Sequence, residues 1–217
     1  MSISNYSELQ TAVANWLHRD DLSARVPEFI QMGEVVLNRK LRTLDMEQIA
    51  TLTASTSSRF LDYPAGFIEM QALFISNDYL VSDPNAEIVY IEPSTFRDSI
   101  VTGNGQPTAY TIKDRIEFNI IPDQAYSIEC RYLKKYDIAS DSTNWLLTNY
   151  PDLYLHASLS AAALFVSDDS RLATFKSLTA EGIEETNNAE ARKRGNGYMR
   201  CDDALNQAGA FNINLGY

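Results

Sequence analysis

Apolar residues in the first forty-odd positions recur every three or four residues, which is the spacing of an amphipathic helix. Asn5 and Glu8 are spaced as a capping box, which favours a helix start at that point. Pro27 suits the start of a second helix, because its missing amide hydrogen costs nothing in the first turn. The two apolar faces comprise Leu9, Val13 and Trp16, then Ile30, Gly33, Leu37, Leu41 and Leu44. The pattern therefore predicts two amphipathic helices joined by a short turn.

From Gln48 to Tyr136 the pattern changes to short β-branched and aromatic runs, separated by Pro, Gly, Asn and Asp. Lys113–Arg115 predicts a tight hairpin turn, Pro93–Ile100 a helical insertion and Gly103–Gly105 a loop. The predicted strands are Ile49–Thr53, Arg59–Asp62, Gln71–Ser76, Glu87–Ile91, Thr108–Lys113, Ile116–Ile121 and Ser127–Leu133. This spacing favours a small antiparallel sandwich or barrel.

Helical spacing returns after Trp145, and Pro151 suits another helix start. This helix is alanine-rich from Ala157 to Ala163, so a partner can approach its backbone closely. Its apolar positions are Leu153, Ala157, Ala161, Leu164 and Phe165. A last helix is predicted from Arg171 to Arg194, and beyond Ile183 it has no obvious face to bury.

Residues 195–217 contain four glycines, four asparagines and no lysine or glutamate. Phe211, Ile213 and Leu215 alternate at period two, which is the spacing of an extended strand. The segment is either a frayed terminus or an arm that adds a strand or fills pockets on a neighbour. A solvated tail has little reason to carry such an alternation, so we favour the arm.

Two helices at each end of the chain are too short to enclose a core separately, so we expect all four to pack together. The predicted fold class is α+β: a four-helix unit built from both chain ends, an inserted antiparallel β sandwich or barrel, and an extended C-terminal arm. The predicted domains are residues 1–46 and 141–194 for the two halves of the helical unit, 47–140 for the β domain and 195–217 for the arm. Such an insertion is feasible because loop closure over a folded module costs little extra entropy.

The 217 residues carry a net charge of −11, which disfavours an unaided nucleic-acid binder or a membrane-surface protein. No apolar run is long enough to span a membrane, and residues 1–8 lack the features of a signal peptide. Cys130 and Cys201 form neither a disulfide framework nor a zinc site, and both are expected to be reduced.

Residue types that can carry catalysis occur in the sequence, but without the partner residues that an active site requires. His18 and His156 have no metal-ligand spacing to a cysteine or carboxylate, and no glycine elbow accompanies Ser158 or Ser160. The acidic pairs suit helix caps: they are Asp20-Asp21, Asp168-Asp169 and Asp202-Asp203. We therefore expect no enzyme activity, no catalytic residue, no cofactor and no metal.

Aromatic residues suggest protein contacts instead, because tyrosine buries area while it keeps a polar end. The candidate partner-binding residues are Tyr150, Tyr154, Tyr198, Phe211, Ile213, Leu215 and Tyr217. The basic run Arg192–Arg194 either compensates a helix dipole or grips an acidic patch on a partner.

Two stretches of the chain resemble head-to-tail adaptor (connector) proteins of tailed bacteriophages. The motifs at the front are Asn15-Trp16-Leu17, Arg19-Asp20-Asp21-Leu22, Val26-Pro27-Glu28-Phe29-Ile30, Gly33-Glu34, Leu37-Asn38-Arg39 and Leu41-Arg42. The motif at the back is Tyr150-Pro151-Asp152-Leu153-Tyr154-Leu155-His156, followed by the alanine-rich helix. These motifs mark helix starts and packing and carry no chemistry.

The resemblance implies a structural virion protein at the head-to-tail interface, made in the host cytoplasm. Members of that family form a ring, usually dodecameric, which joins the portal protein to the tail nozzle or tube and lines the DNA channel. The implied partners are thus the portal, the tail and other copies of this chain; DNA passes in transit without sequence-specific contact, and no membrane is involved. The acidic charge suits a channel in which DNA slides without sticking.

Alternative functions remain open at this point. Another tail-tube or head-completion component would share the same virion setting. A receptor- or glycan-binding virion module would use exposed aromatics such as Trp145 and Tyr79 as its platform.

Overall fold

The computed structural model describes residues 3–75 and 87–194, and within them it confirms the α+β class. The helices are α1 (Tyr6–Leu17), α2 (Val26–Lys40), α3 (Ile138–Asp141), α4 (Trp145–Asn149), α5 (Pro151–Val166) and α6 (Asp169–Lys193). The strands are β1 (Glu47–Thr53), β2 (Phe60–Leu61), β3 (Phe67–Ile75), β4 (Glu87–Tyr90), β5 (Asn104–Gly105), β6 (Ala109–Ile112), β7 (Ile116–Phe118), β8 (Ile121–Pro122) and β9 (Ser127–Lys134).

The helix starts follow the local sequence. The Asn5 side chain accepts a hydrogen bond from the Glu8 amide at 3.0 Å, and the Glu8 carboxylate accepts one from the Ser4 amide at 2.7 Å. This arrangement is a variant of the capping box. The Glu8 carboxylate binds the amide of Ser4, the residue before the N-cap, instead of the amide of the N-cap residue Asn5. Pro27 occupies the second position of α2, and Pro151 is the first residue of α5.

The seven predicted strands are all present, and they form one curled seven-stranded sheet in the order β1-β9-β3-β4-β6-β7-β2. The predicted antiparallel arrangement is wrong at one junction, because β4 and β6 run parallel. The predicted hairpin at Lys113–Arg115 is confirmed, since it joins the antiparallel strands β6 and β7.

Two further short strands, β5 and β8, pair with each other in parallel, although a loop was predicted for Gly103–Gly105. Strands of two residues are too short to leave an alternating pattern in the sequence. The predicted helical insertion at Pro93–Ile100 is a single 3-10 turn over Phe96–Ser99.

The front and back helices pack against each other. Helix α5 lies against α1, α2 and α6, and its contact with α2 is the most extensive of the three. Gly33 permits this contact, because a Cβ there would lie 2.8 Å from the Ala157 carbonyl carbon. One core cluster joins buried residues of these helices to Leu133 and Tyr136, and a second lies within the sheet.

The last turns of α6 bury polar rather than apolar groups, which corrects the expectation that they bury nothing. Asn187 accepts a hydrogen bond from the Arg42 amide at 2.9 Å and donates one to the Lys40 carbonyl at 3.0 Å. The buried Glu190 carboxylate accepts from the Leu44 amide at 3.1 Å. These bonds connect the end of α2 to the end of α6, which lies 145 residues further along the chain.

Candidate protein-binding surface

An exposed apolar hollow lies between α2 and α5 and is here called the α2–α5 groove. Its volume is about 510 Å³. Met32 and Val35 contribute from α2, and Leu164 and Phe165 contribute from α5. Met32 and Leu164 are each 63% exposed, which is unusual for large apolar side chains that line one hollow.

The groove exists because α5 is apolar around most of its circumference. Leu153, Leu155, Leu159 and Ala162 are buried, yet Leu164, Phe165 and Val166 at the end of the same helix are exposed. A helix that is apolar on every side needs neighbours on every side. Helices α1, α2 and α6 cover only part of it.

Charged side chains surround the apolar floor. Arg25 places its guanidinium 5.0 Å from the centre of the Phe165 ring and approaches the Glu28 carboxylate at 3.4 Å. Arg39 and Lys176 line the other margins. An apolar centre with a polar rim is the usual anatomy of a protein interface.

A smaller hollow of about 320 Å³ lies where α1 ends beside α5 and α6. Trp16 is half-exposed there, and its ring meets that of Phe175 edge-on at 6.4 Å. Sequence reasoning placed Trp16 on the apolar face of the first helix, and the structure leaves one side of that ring at the surface.

Two of the four tyrosines predicted to bind a partner lie within the described residues, and their environments differ. Tyr154 is completely buried: its hydroxyl donates to the Glu34 carboxylate at 2.8 Å and accepts from the Asn144 amide at 2.7 Å. Burial beside that carboxylate raises the pKa of Tyr154. Its side chain therefore acts inside the core and is not available at the surface.

Tyr150 is half-buried, and its ring lies 5.6 Å from that of Trp145. Lys193 in turn lies 5.4 Å from the centre of the Trp145 ring and forms an ion pair with Glu190 at 2.6 Å. Trp145 thus has a cation over its ring, and Tyr150 is the member of the pair that remains a candidate contact.

The remaining predicted contact residues fall outside the described residues, as do the arm and the second cysteine. They are Tyr198, Phe211, Ile213, Leu215 and Tyr217. Tyr79, the other aromatic of the glycan-binding alternative, also falls outside.

Other chemistry-bearing residues have internal partners. The Ser158 and Ser160 hydroxyls donate to the Tyr154 and Ala157 carbonyls, and the His156 ring stacks on Phe175. Across residues 3–75 and 87–194, no three His, Cys, Asp or Glu side chains gather as a metal site would require. No helix in that same part of the chain combines the length and apolar content needed to cross a membrane.

The sequence analysis did not single out Met32 and Val35, and it grouped Leu164 and Phe165 with the other apolar positions of their helix. A signal was present, since Leu164-Phe165-Val166 makes three consecutive apolar positions, more than one helix face can bury. Without the neighbouring helices in place, however, the sequence does not say which of the three is left over.

A comparison with known protein families gives a match that includes the helices at both ends of the chain. The family described as SU10 adaptor protein matches residues 4–200, which is most of the chain. The chain belongs to this family, and membership makes it a phage adaptor and a structural protein. A search of curated proteins found no significant match.

Proposed function

We propose that this protein is the head-to-tail adaptor of a tailed phage virion, forming a ring that joins the portal to the tail and lines the DNA channel. The observation that carries the proposal is the α2–α5 groove, an exposed apolar surface on a chain of a phage adaptor family. An adaptor must bind protein on more than one side, and exposed apolar patches of this kind mark such contacts.

The proposed body of the adaptor is a four-helix unit of α1, α2, α5 and α6, into which the sheet is inserted. Contacts of α5 with the other three helices and the Asn187 bonds to the end of α2 support this arrangement. A unit closed by both chain ends presents its surfaces in fixed relative positions, which a ring needs because its interfaces must repeat by rotation.

The role is structural, without catalysis or a cofactor. Twelve copies are proposed, as the family resemblance implies. The net charge of −11 supports passage of DNA through the ring, because carboxylates repel phosphates at short range. The residues after α6 are proposed to reach another subunit or the portal.

Electron microscopy of the full chain mixed with its portal protein tests the proposal. We expect twelve-fold rings seated on the portal. A truncated chain ending at Gly195 should remain folded by circular dichroism and lose attachment. The absence of rings with the intact chain would overturn the ring proposal, and full attachment of the truncated chain would overturn the role of the arm.

A further inference from the structure

Among the described strands, β1 forms a long edge of the seven-stranded sheet. Within the part of the chain that the structure describes, β1 pairs with β9 alone, through seven consecutive residue pairs without a bulge. Proteins normally protect such edges with proline, lysine or a bulge. None of these occurs in Glu47–Thr53. The opposite edge, β2, has only two residues.

The last described residue of the chain lies near the beginning of β1. Arg194 donates a hydrogen bond to the carboxylate of Glu47, the first residue of that strand.

The end of the arm has the composition of a strand that would fit this edge. In Phe211–Leu215, three apolar residues alternate with Asn212 and Asn214. The second half of strand β1 alternates in the same way, with partly buried Ala50 and Leu52 next to the sheet core and exposed Thr51 and Thr53 on the other side. The exposed Ile49 lies on the same side as the threonines.

We propose that residues 211–215 of one copy add to β1 of a neighbouring copy as an eighth strand of its sheet. The apolar side chains extend the face of Ala50 and Leu52, while the two asparagines lie beside the threonines. Main-chain hydrogen bonds then supply affinity, and the alternation sets the register. This inference rests on the proposed ring and adds the contact that links its subunits.

The arm is long enough to reach a neighbouring copy. Seventeen residues from Gly195 to Phe211 span up to about 55 Å when extended, whereas the seven residues of β1 span about 23 Å. This length also permits pairing within one chain, but a ring needs a contact between copies, so β1 of the neighbour is the proposed acceptor and the crosslinking test separates the two. The family match ends at residue 200, so this contact uses a segment beyond it.

Disulfide crosslinking between separately labelled chains tests the inference. One full-length variant carries Thr51→Cys and the other Asn212→Cys or Asn214→Cys, all with Cys201→Ser. Cys130 can be kept in all variants because it is not expected to form crosslinks. It is fully buried, and burial raises the pKa of its thiol to about 11. The variants are mixed with portal, oxidised and analysed on non-reducing gels, and the same samples are imaged.

We expect a band at twice the chain mass for Thr51 with Asn212 or Asn214. Ile213→Cys, which would face the opposite side, and Asn206→Cys, which lies outside the alternation, should crosslink at least fivefold less. Rings without the crosslink would overturn strand exchange and leave the adaptor proposal standing. The crosslink without rings would support strand exchange and count against the ring.

Two more variants separate a neighbour from the same chain and test the role of main-chain bonding. A single chain carrying both Thr51→Cys and Asn212→Cys should give a ladder of multimers, and an internal bond within monomers would overturn the inference. Ile213→Pro removes one strand donor and should reduce the crosslink at least fivefold, whereas Gln207→Pro should not. Equal crosslinking by both proline variants would also contradict strand addition.

Discussion

Gly33 of α2 lies directly against the backbone of Ala157 in α5, closer than any side chain would allow. A Cβ at position 33 would be 2.8 Å from the Ala157 carbonyl carbon and 2.8 Å from the Ser158 nitrogen. Backbone atoms inside a helix cannot rotate aside as a flexible side chain can. This contact therefore sets the separation of the two helices that form the α2–α5 groove.

Gly33→Ala is expected to destabilise the protein by about 1–3 kcal/mol, the usual cost of inserting an atom into a filled contact. Urea unfolding followed by circular dichroism measures the free energy of unfolding. Gly182→Ala in α6 is the matched control, because its Cβ would meet only the end of the Leu153 side chain, at 3.0 Å. That control should be nearly neutral, and an equal loss in both variants would contradict the backbone contact.

Asn187→Ala should cost about 1–2 kcal/mol of unfolding free energy. It removes an acceptor for the Arg42 amide and a donor to the Lys40 carbonyl, and each such bond contributes about 1 kcal/mol. The control is Asn188→Ala, which makes the same substitution at the neighbouring, exposed position of the same helix. It should change the free energy of unfolding by less than about 0.5 kcal/mol. If the two substitutions are equivalent, Asn187 does not hold α2 to α6.

Glu34 makes part of the stability depend on pH. Burial raises the pKa of Glu34, and this outweighs the hydrogen bonds that its carboxylate accepts from the Ile138 amide and the Tyr154 hydroxyl, both at 2.8 Å. Between the unfolded pKa and the raised folded pKa, the folded state holds a proton that the unfolded state has lost. This contribution is therefore present at pH below the unfolded pKa and is lost as pH rises through the folded pKa.

Glu34→Gln should accordingly remove this pH dependence. Relative to the wild type, the variant should gain stability between pH 4.5 and pH 7.5, as measured by urea unfolding at one-unit intervals. Glu181→Gln, at an exposed carboxylate on α6, provides the control for losing one charge. A constant difference between Glu34→Gln and wild type at every pH would rule out the assigned role of Glu34.

Leu164→Glu and Met32→Glu should leave the fold intact and weaken portal or ring association at least tenfold. Both side chains are mostly exposed, so the charge meets water in the free protein and an apolar partner only in the assembly. Leu178→Glu places the same charge on an exposed leucine of α6 that does not line the groove. Sedimentation or imaging with the portal measures association, and wild-type association by both groove variants would exclude the groove as a contact.

The sequence was sufficient for most of the local structure and for the family. Asn5, Pro27 and Pro151 mark helix starts through their own backbone chemistry, and the α+β class and the adaptor resemblance were both confirmed. The parallel pairing of β4 with β6 was not predictable in the same way, because strand neighbours depend on contacts between distant segments. The proposed arm contact still depends on sequence pattern together with the open edge of β1.

What the sequence determined by itself is thus the position and type of most elements, since caps and periodicity act within a few residues. Only the tertiary structure decided which apolar and aromatic side chains remain at the surface. Tyr154 was predicted to contact a partner and is buried against Glu34, whereas Leu164 shares the apolar pattern of Leu153 and is exposed. The physical reason is that a side chain becomes buried only when a second surface packs against it. The sequence pattern of one helix does not specify how many of its sides other helices will cover.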